Sequence, residues 1–449
     1  MKFNLTRKFI DQLSALIKED KPNKVLGLVR DLHCADIAEI FEEIEFKKSA
    51  YIYNLLDDDL GADVLVELDD DIRESLLKTL SPKEIAEDVI ENLESDDAAD
   101  IVSDLPQEKK EEVLSHIEDV SHASDIADLL KYTEDSAGGL MAKEFISVKT
   151  NWSITQCIKE MRKQAEEVKF VYTIYVVDEN NILKGTLSLK KLLFSNAKTI
   201  MSDIMKSDII MINANKDQED VANVMNKYDL VALPVVNELG QLIGRITADD
   251  VMDIMKEEAE KDYQMASGIS DDVESNDSIV EITKARLPWL LIGLIGGLIG
   301  AKVIGIFDIE KNYEMAIFIP LIAAMGGNVG VQSAAIVVQG LAGGSVSIVS
   351  MWSRLIKELG VAIVNGLICS LIILIATYSL GYDMAMSITV SISLFAVIIF
   401  AALFGTFVPL TLEKYNIDPA LATGPFITTV NDVLGLFIYF LIGQMILGL

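Results

Sequence analysis

Residues 320–334 read PLIAAMGGNVGVQSA. The stretch lies inside an apolar run, yet it carries Pro320, Gly326, Gly327, Asn328, Gly330 and Gln332. A segment that only crosses a bilayer has no need of an amide flanked by glycines. The string therefore points to a membrane helix with a second task. Around it, five apolar stretches follow residue 285, at roughly 287–306, 315–341, 359–380, 384–411 and 419–448. Each is long enough to span a hydrocarbon core at helical rise.

The 449 residues exceed one ordinary core, so several domains are expected. The formal net charge of −31 is uneven. Residues 286–449 hold six Lys and Arg against eight Asp and Glu, whereas 1–285 hold 32 against 61. An acidic front half joined to an apolar back half repels nucleic acid and attracts cations. Cys34, Cys157 and Cys369 stand far apart in sequence and form no metal or redox spacing. With only His33, His116 and His122 beside them, the chain speaks against disulfides, zinc and a hydrolytic triad, so no enzyme is expected. The cysteine pattern fits a cytosolic front half, and with charged residues running through the first 30 positions no secretory signal peptide is expected there.

Orientation follows from basic residues in short loops. Lys284 and Arg286 precede the first span, Arg354 and Lys357 follow the second, and Lys414 follows the fourth. These share one side; the other offers Lys302 and Lys311. The expectation is a multi-pass protein of the cell membrane, inner or plasma, with a cytosolic N-terminus and an external C-terminus.

Asp432 is the one deep carboxylate in these spans, and Lys302, able to snorkel, is its only candidate cation. Thr428, Gly424 and Gly435 recur at helical spacing around it, a stripe that suits a pore wall or close helix packing. Asp418 lies 14 residues earlier; on a continuous helix the two carboxylates would share a face about 21 Å apart. Asp carboxylates select cations. A site with few carboxylates and several carbonyls or hydroxyls suits a largely hydrated Mg²⁺. A Zn²⁺ or Cu⁺ path would need His, Cys or dense Met. The alternative is a divalent-cation carrier coupled to Na⁺ or H⁺, for which a membrane repeat or a second buried ionisable group is expected.

The front half contains an internal repeat. YTIYVVDENNILKGTLSLKKLL (172–193) aligns with VALPVVNELGQLIGRITADDVM (231–252) at an offset of 59, and VKTNWSITQCIKEM (148–161) with INANKDQEDVANVM (212–225) at an offset of 64. Five extra residues fall around QAEEVK in the first copy. Each copy reads as strand, amphipathic helix, two strands joined by a polar turn, then helix. This resembles a pair of CBS modules, which often bind adenosine nucleotides such as ATP. Gly244, Thr247 and Asp250 match the nucleotide signature in the second copy; the first has Gly185 and Ser188 but Lys191. A hydroxyl capping a helix explains Thr247 equally well. Residues 1–135 read as all-helical, a helical-repeat stack in which ADIAEIF (35–41), ADIVSDL (99–105) and SDIADLL (124–130) would each put an acid at a helix N-terminus. DDVMDIMKEEAEKDYQM (249–265) reads as a charged coupling helix, and SGISDDVESNDS (267–278) as a linker.

Taken together, EDSAGGLM (134–141), the CBS pair, the acidic helix, RLPWL (286–290), the GGNVGVQ string and DPAL…TTVND (418–432) resemble the MgtE family of bacterial magnesium channels over the whole chain. The resemblance implies a cytosolic helical domain at 1–135, tandem CBS modules at 136–256 (about 136–199 and 200–256), a connecting segment at 257–284 and a five-helix pore domain at 285–449. It also implies a homodimer in membrane lipid whose pore lies between subunits. Asp432 would be the main Mg²⁺ ligand there, with Asn328 at the gate and Thr428 on the wall. Cytosolic Mg²⁺ sensors would map to Asp96 and Asp100, to Asp217, Glu219, Asp229, Asp250 and Asp253, to Glu258 and Asp262, and to Asp418 at the pore mouth. In EAEKD (258–262) Lys261 stands at an acidic family position and should weaken the pore-mouth site unless Glu260 compensates. The physical logic is that facing carboxylates repel when Mg²⁺ is scarce and are bridged when it is abundant.

Overall fold

The computed structural model describes residues 3–164, 168–270, 273, 277–307, 313–342, 351–415, 417–422 and 424–448. Lys311, part of the QAEEVK insertion and part of the 267–278 linker lie outside these residues. The chain divides into two compact units, 1–255 and 256–449.

The first unit opens with ten short helices: α1 (Arg7–Lys18), α2 (Pro22–Val29), α3 (Cys34–Glu42), α4 (Phe46–Tyr53), α5 (Asp58–Val66), α6 (Asp70–Leu77), α7 (Pro82–Glu84), α8 (Ser95–Ser103), α9 (Gln107–His116) and α10 (Val120–Leu129). A π turn and a 3₁₀ turn at Ile85–Asn92 separate α7 from α8. Isolated helices this short are marginal in water, so packing must hold them. Ile37, Phe41, Leu65, Ile85 and Ile101 belong to one continuous buried core. Caps fix the starts: Thr6, Asp57 and Asp119 accept backbone N–H bonds, and Ser81 with Glu84 forms a capping box. Such a cap contributes about 1 kcal/mol.

The caps correct one expectation. Asp36 does lie in the first turn of α3, but Asp100 and Asp125 lie in the middle of α8 and α10. The start of α10 belongs to Asp119, and the first-turn acids of α8 are Asp96 and Asp97.

The repeat folds as two three-stranded sheets, β1–β2–β3 and β4–β5–β6. The first uses β1 (Ile146–Lys149), β2 (Ile174–Val177) and β3 (Leu183–Leu187), with α11 (Ile154–Gln164) crossing between the parallel pair β1 and β2. The second uses β4 (Ile212–Asn213), β5 (Ala232–Val236) and β6 (Leu242–Thr247), with α14 (Gln218–Tyr228) crossing. Two short helices, α12 (Leu189–Leu193) and α13 (Met201–Ile204), join the copies. The strands β2 and β5 are apolar and almost wholly buried, as a sheet covered on both faces requires. Val176 pairs with Gly185 and Val235 with Gly244, the same register in both copies.

The copies also exchange segments. A Cβ on Gly185 would come within 2.6 Å of Met205 Sδ, and one on Gly244 within 2.6 Å of Met141 Sδ. The bridges Thr186–Lys206 and Ala142–Arg245 follow the same pattern. Each copy thus packs against the segment that precedes the other. The helix α15 (Ala248–Ala266) ends the repeat and runs on across the boundary between the two units.

The second unit contains five helices long and apolar enough to cross a membrane: α16 (Ile279–Ile306), α17 (Tyr313–Ala342), α18 (Met351–Ser379), α19 (Met384–Lys414) and α20 (Gly424–Leu447). The first starts at a Ser278–Glu281 capping box. Helices α17, α18 and α20 all pack on α19, and α16 packs on α20. The buried face of α19 carries Ser387, Thr389, Ser391, Ser393 and Thr406, small groups that let helices approach in a lipid-like environment. Ser391 Oγ donates to the Ser370 carbonyl of α18 at 2.8 Å, and Tyr439 Oη on α20 donates to the Met315 carbonyl on α17 at 2.9 Å.

Candidate ion pathway and cation-binding clusters

The GGNVGVQ string does not break its helix. Residues 313–342 form one α-helix, with Pro320, Gly326, Gly327 and Gly330 all inside it. The glycines serve close approach instead. A Cβ on Gly327 would lie 3.1 Å from Thr428 Cγ2 and 3.7 Å from Asp432 Oδ1. One on Gly330 would meet Asn431 Nδ2 and Ile427, and the Gly330 carbonyl itself lies against Gly405 of α19. Two helices, α19 and α20, therefore converge on the string, and α20 is held with Asp432 and Thr428 level with its glycines.

Asp432 is half-buried and Asn328 exposed, as are Gln332 and Gln339 along the same helical face. No charged side chain acts on Asp432 among the described residues, and Lys302 is exposed on α16. Thr428 Oγ1 donates to the Gly424 carbonyl at 3.0 Å, which leaves its oxygen lone pairs available. The expected helical face through Asp418 is overturned. Asp418 precedes a 3₁₀ turn at Pro419–Ala422 and caps it, accepting the Ala420 N–H at 2.7 Å; α20 begins only at Gly424. Pro419 and Pro425, with Gly424 at φ +46°, interrupt any continuous helix from 418 to 432.

Asp418 instead meets the connecting helix. Burial, then the Asp418 and Glu258 charges, raise Asp262 above the usual carboxylate range, with Lys261 opposing. Lys261 Nζ lies 3.8 Å from Glu258 Oε1. The end of the same helix touches the start of α20: Gly424 packs against the Ala266 carbonyl, and a Cβ on Gly268 would come within 2.5 Å of Pro425 Cγ. The connecting helix thus meets the segment before α20 twice, through the Asp418 carboxylate 14 residues before Asp432 and through Gly424 eight residues before it.

A second cluster lies in the first unit. Burial, then Asp97, Asp250, Glu144 and Glu94, hold Asp96 well above the usual range. Burial, with Asp250 and Glu94, pushes Asp97 up to about 7. Asp100 sits at the exposed margin of this cluster, where the Asp97 and Glu134 charges act on it. Asp250 Oδ2 accepts from both the Thr247 N–H at 3.0 Å and the Thr247 hydroxyl at 2.7 Å, so Thr247 and Asp250 cap α15. Arg245 closes the cluster on one side, forking onto Glu94 at 3.1 Å to each oxygen. Lys169 Nζ bonds Asp63 at 3.2 Å and faces Glu94 and Asp97. The other expected sensors stand apart. Asp217 caps the start of α14 near Glu219, whereas Asp229 ends that helix in the left-handed conformation. Helical rise alone puts them about 18 Å apart. Asp253 is exposed on α15.

Three comparisons bear on this architecture. Family models match the chain as the divalent cation transporter MgtE at 319–442, the MgtE intracellular N domain at 32–135 and CBS domains at 137–197 and 201–257. The magnesium transporter MgtE of Thermus thermophilus is 31% identical over 461 residues, covering 99% of both chains. That of Bacillus subtilis is 30% identical and covers 95% of this chain and 94% of the relative. The chain belongs to the MgtE family. A solved structure of the cytosolic domain of the Mg²⁺ channel MgtE, in complex with ATP, is 30% identical and superposes with a TM-score of 0.51 over 55% of this chain and 99% of that one. MgtE proteins are transporters, not enzymes.

Against that family background, three residues escaped the sequence. Glu358 lies in the second turn of α18, where Ser333 Oγ of the string's helix donates to it at 2.7 Å. The apolar window began after it, so Asp432 is not the only carboxylate inside a spanning helix of this MgtE chain. Asn431 is wholly buried beside Asp432 with no hydrogen-bond partner among the described residues. Asp97 completes the Asp96–Asp250 cluster. The helical pattern of 351–358 could have revealed Glu358; nothing local signals the other two.

Proposed function

We propose that the chain is a Mg²⁺-selective channel that imports Mg²⁺ across the cell membrane and is closed by cytosolic Mg²⁺. The observation that carries this is the level pairing of Gly327 with Thr428 and Asp432, beside an outward-facing Asn328. Exposed amides on a membrane helix are costly in lipid. A second copy against the same face would cover Asn328 and Gln332 and bring two Asp432 carboxylates to one axis, hence a homodimer with the pore between subunits. Two carboxylates and several amide and hydroxyl oxygens suit a cation that keeps part of its water.

The closing signal acts through the acidic clusters. With Mg²⁺ scarce, Asp96, Asp97 and Asp250 repel, as do Glu258, Asp262 and Asp418. Bound Mg²⁺ bridges them, and the junction of α15 with Gly424 carries the change to α20. Asp100, Asp217, Glu219, Asp229 and Asp253 are further ligands across the dimer. An adenosine nucleotide, as in the solved relative, is the second expected ligand, at Gly244, Thr247 and Asp250. The N-terminus is then cytosolic and the C-terminus external, as the placement of basic residues favours.

A second reading is a carrier coupled to Na⁺ or H⁺, for which Glu358, bonded by Ser333 near the Arg354–Lys357 end of α18, offers a second ionisable group against the string's helix. Current recordings on the purified protein in bilayers separate the two. For the channel, Asp432→Ala abolishes Mg²⁺ current while the protein remains folded, and the reversal potential follows the Mg²⁺ gradient alone. Undiminished Mg²⁺ current in that variant would sink the pore assignment. A reversal potential that tracks the pH gradient would favour the carrier.

A further inference from the structure

His33 and Cys34 are neighbours at the start of α3, and Glu67 caps the end of α5, 33 residues after Cys34. The sequence shows no metal spacing there because the third donor is distant. The fold brings Cys34 Sγ to 3.3 Å from His33 Nδ1 and 3.5 Å from Glu67 Oε1. All three donor atoms lie within 4.8 Å of one another, the one such group among the described residues.

The two distances to the sulfur fall where a tetrahedral metal would hold its donors, and the third pair is within reach at no more than 4.8 Å. With Zn–S near 2.3 Å and Zn–N or Zn–O near 2.0–2.1 Å, a tetrahedral set puts its donors roughly 3.5 Å apart. We propose that His33, Cys34 and Glu67 form a site for Zn²⁺ or a similar borderline divalent ion, with water as the fourth ligand. Two backbone elements from different helices supply the donors, so the site is more than a helix terminus. His33 and Glu67 are exposed and Cys34 partly so, which gives an ion access and leaves the fourth position to solvent. Asp63, one turn before Glu67 on α5, adds negative charge near the sulfur. The thiol proton now directed at Glu67 leaves to solvent when the metal enters, and the Ala35 N–H, held loosely to His33 Nδ1 at 3.3 Å, turns to water.

The donor set distinguishes this site from the acidic clusters. Thiolate and imidazole favour Zn²⁺, Co²⁺ or Cd²⁺ and give Mg²⁺ nothing it prefers. The site would let the cytosolic domain register a transition metal independently of Mg²⁺.

The probe is Co²⁺, added to the full-length protein in detergent with millimolar Mg²⁺ present to fill oxygen sites. The expected result is a thiolate-to-Co²⁺ charge-transfer band in the near ultraviolet, displaced by Zn²⁺, lost in Cys34→Ser and weakened in Glu67→Gln. A band of undiminished strength in Cys34→Ser, or no band in the wild type, overturns the proposal. A second measurement needs no variant: Zn²⁺ should slow iodoacetamide alkylation of Cys34 by about tenfold or more, read by mass spectrometry, while Mg²⁺ leaves it unchanged. An alkylation rate indifferent to Zn²⁺ overturns it equally.

Discussion

At the scale of single residues, the contact between Gly330 and Asn431 is the tightest test of the pore packing. A methyl group on Gly330 would collide with the Asn431 amide and approach Ile427 Cγ2 to 2.7 Å. Gly330→Ala should therefore destabilise the membrane unit by about 1–3 kcal/mol, as overpacking does. It should also displace Asp432, because Asn431 precedes it on the same turn. Thermal unfolding in detergent checks the first effect. Combining it with Asn431→Ala checks the cause, since removing the amide should recover part of the loss. A single variant as stable as the wild type would show that the helices can part without cost. Of these residues, Asp432 and Asn328 stood out in the sequence because polar groups in apolar runs are conspicuous. Asn431 did not, because a buried amide next to a carboxylate reads as one polar pair until the neighbouring helix is known.

At the scale of elements, α15 matters most. Its last turns bring Glu258 and Asp262 to Asp418, and Lys261 already neutralises part of that charge through Glu258. Lys261→Glu should strengthen Mg²⁺ binding at the pore mouth, so that the channel closes at lower cytosolic Mg²⁺. Open probability measured against Mg²⁺ concentration would reveal an unchanged or rightward-shifted curve if the idea is wrong. The start of α8 and the start of α15 carry a pH prediction. Asp97 is raised to about 7 and Asp96 and Asp250 are also raised, chiefly by burial. The folded state then binds more protons than the unfolded chain between the ordinary carboxylate value near 4 and about 7. Stability contributed by these groups is present at low pH and is lost as pH rises through that window. Without divalent ions, the cytosolic unit should resist urea better at about pH 5 than at about pH 7.5, and Mg²⁺ should narrow the difference. A gain in resistance with rising pH would contradict the burial of this cluster.

At the scale of the whole molecule, the proposed gating treats the excess of acid over base in residues 1–285 as repulsion that Mg²⁺ would relieve. Millimolar Mg²⁺ should protect the cytosolic half of the full-length protein from limited proteolysis, with monovalent salt at equal ionic strength protecting much less. Equal digestion under both conditions would show that screening, not site binding, accounts for any compaction.

The sequence by itself determined the order of domains, the five spans, the repeat and the one unpaired acid in the last helix. Those are local signals: apolar length, period and composition report the environment each segment needs. Tertiary structure alone decided which acids act together. Asp418 joins Asp262 rather than Asp432, because prolines and a left-handed glycine stop the helix between them. Asp97 joins Asp250 across more than 150 residues of chain, Ser333 finds Glu358, and Glu67 reaches Cys34. A carboxylate looks the same in sequence whether it is solvated or held against its like; only the packing that removes water from it gives it a function.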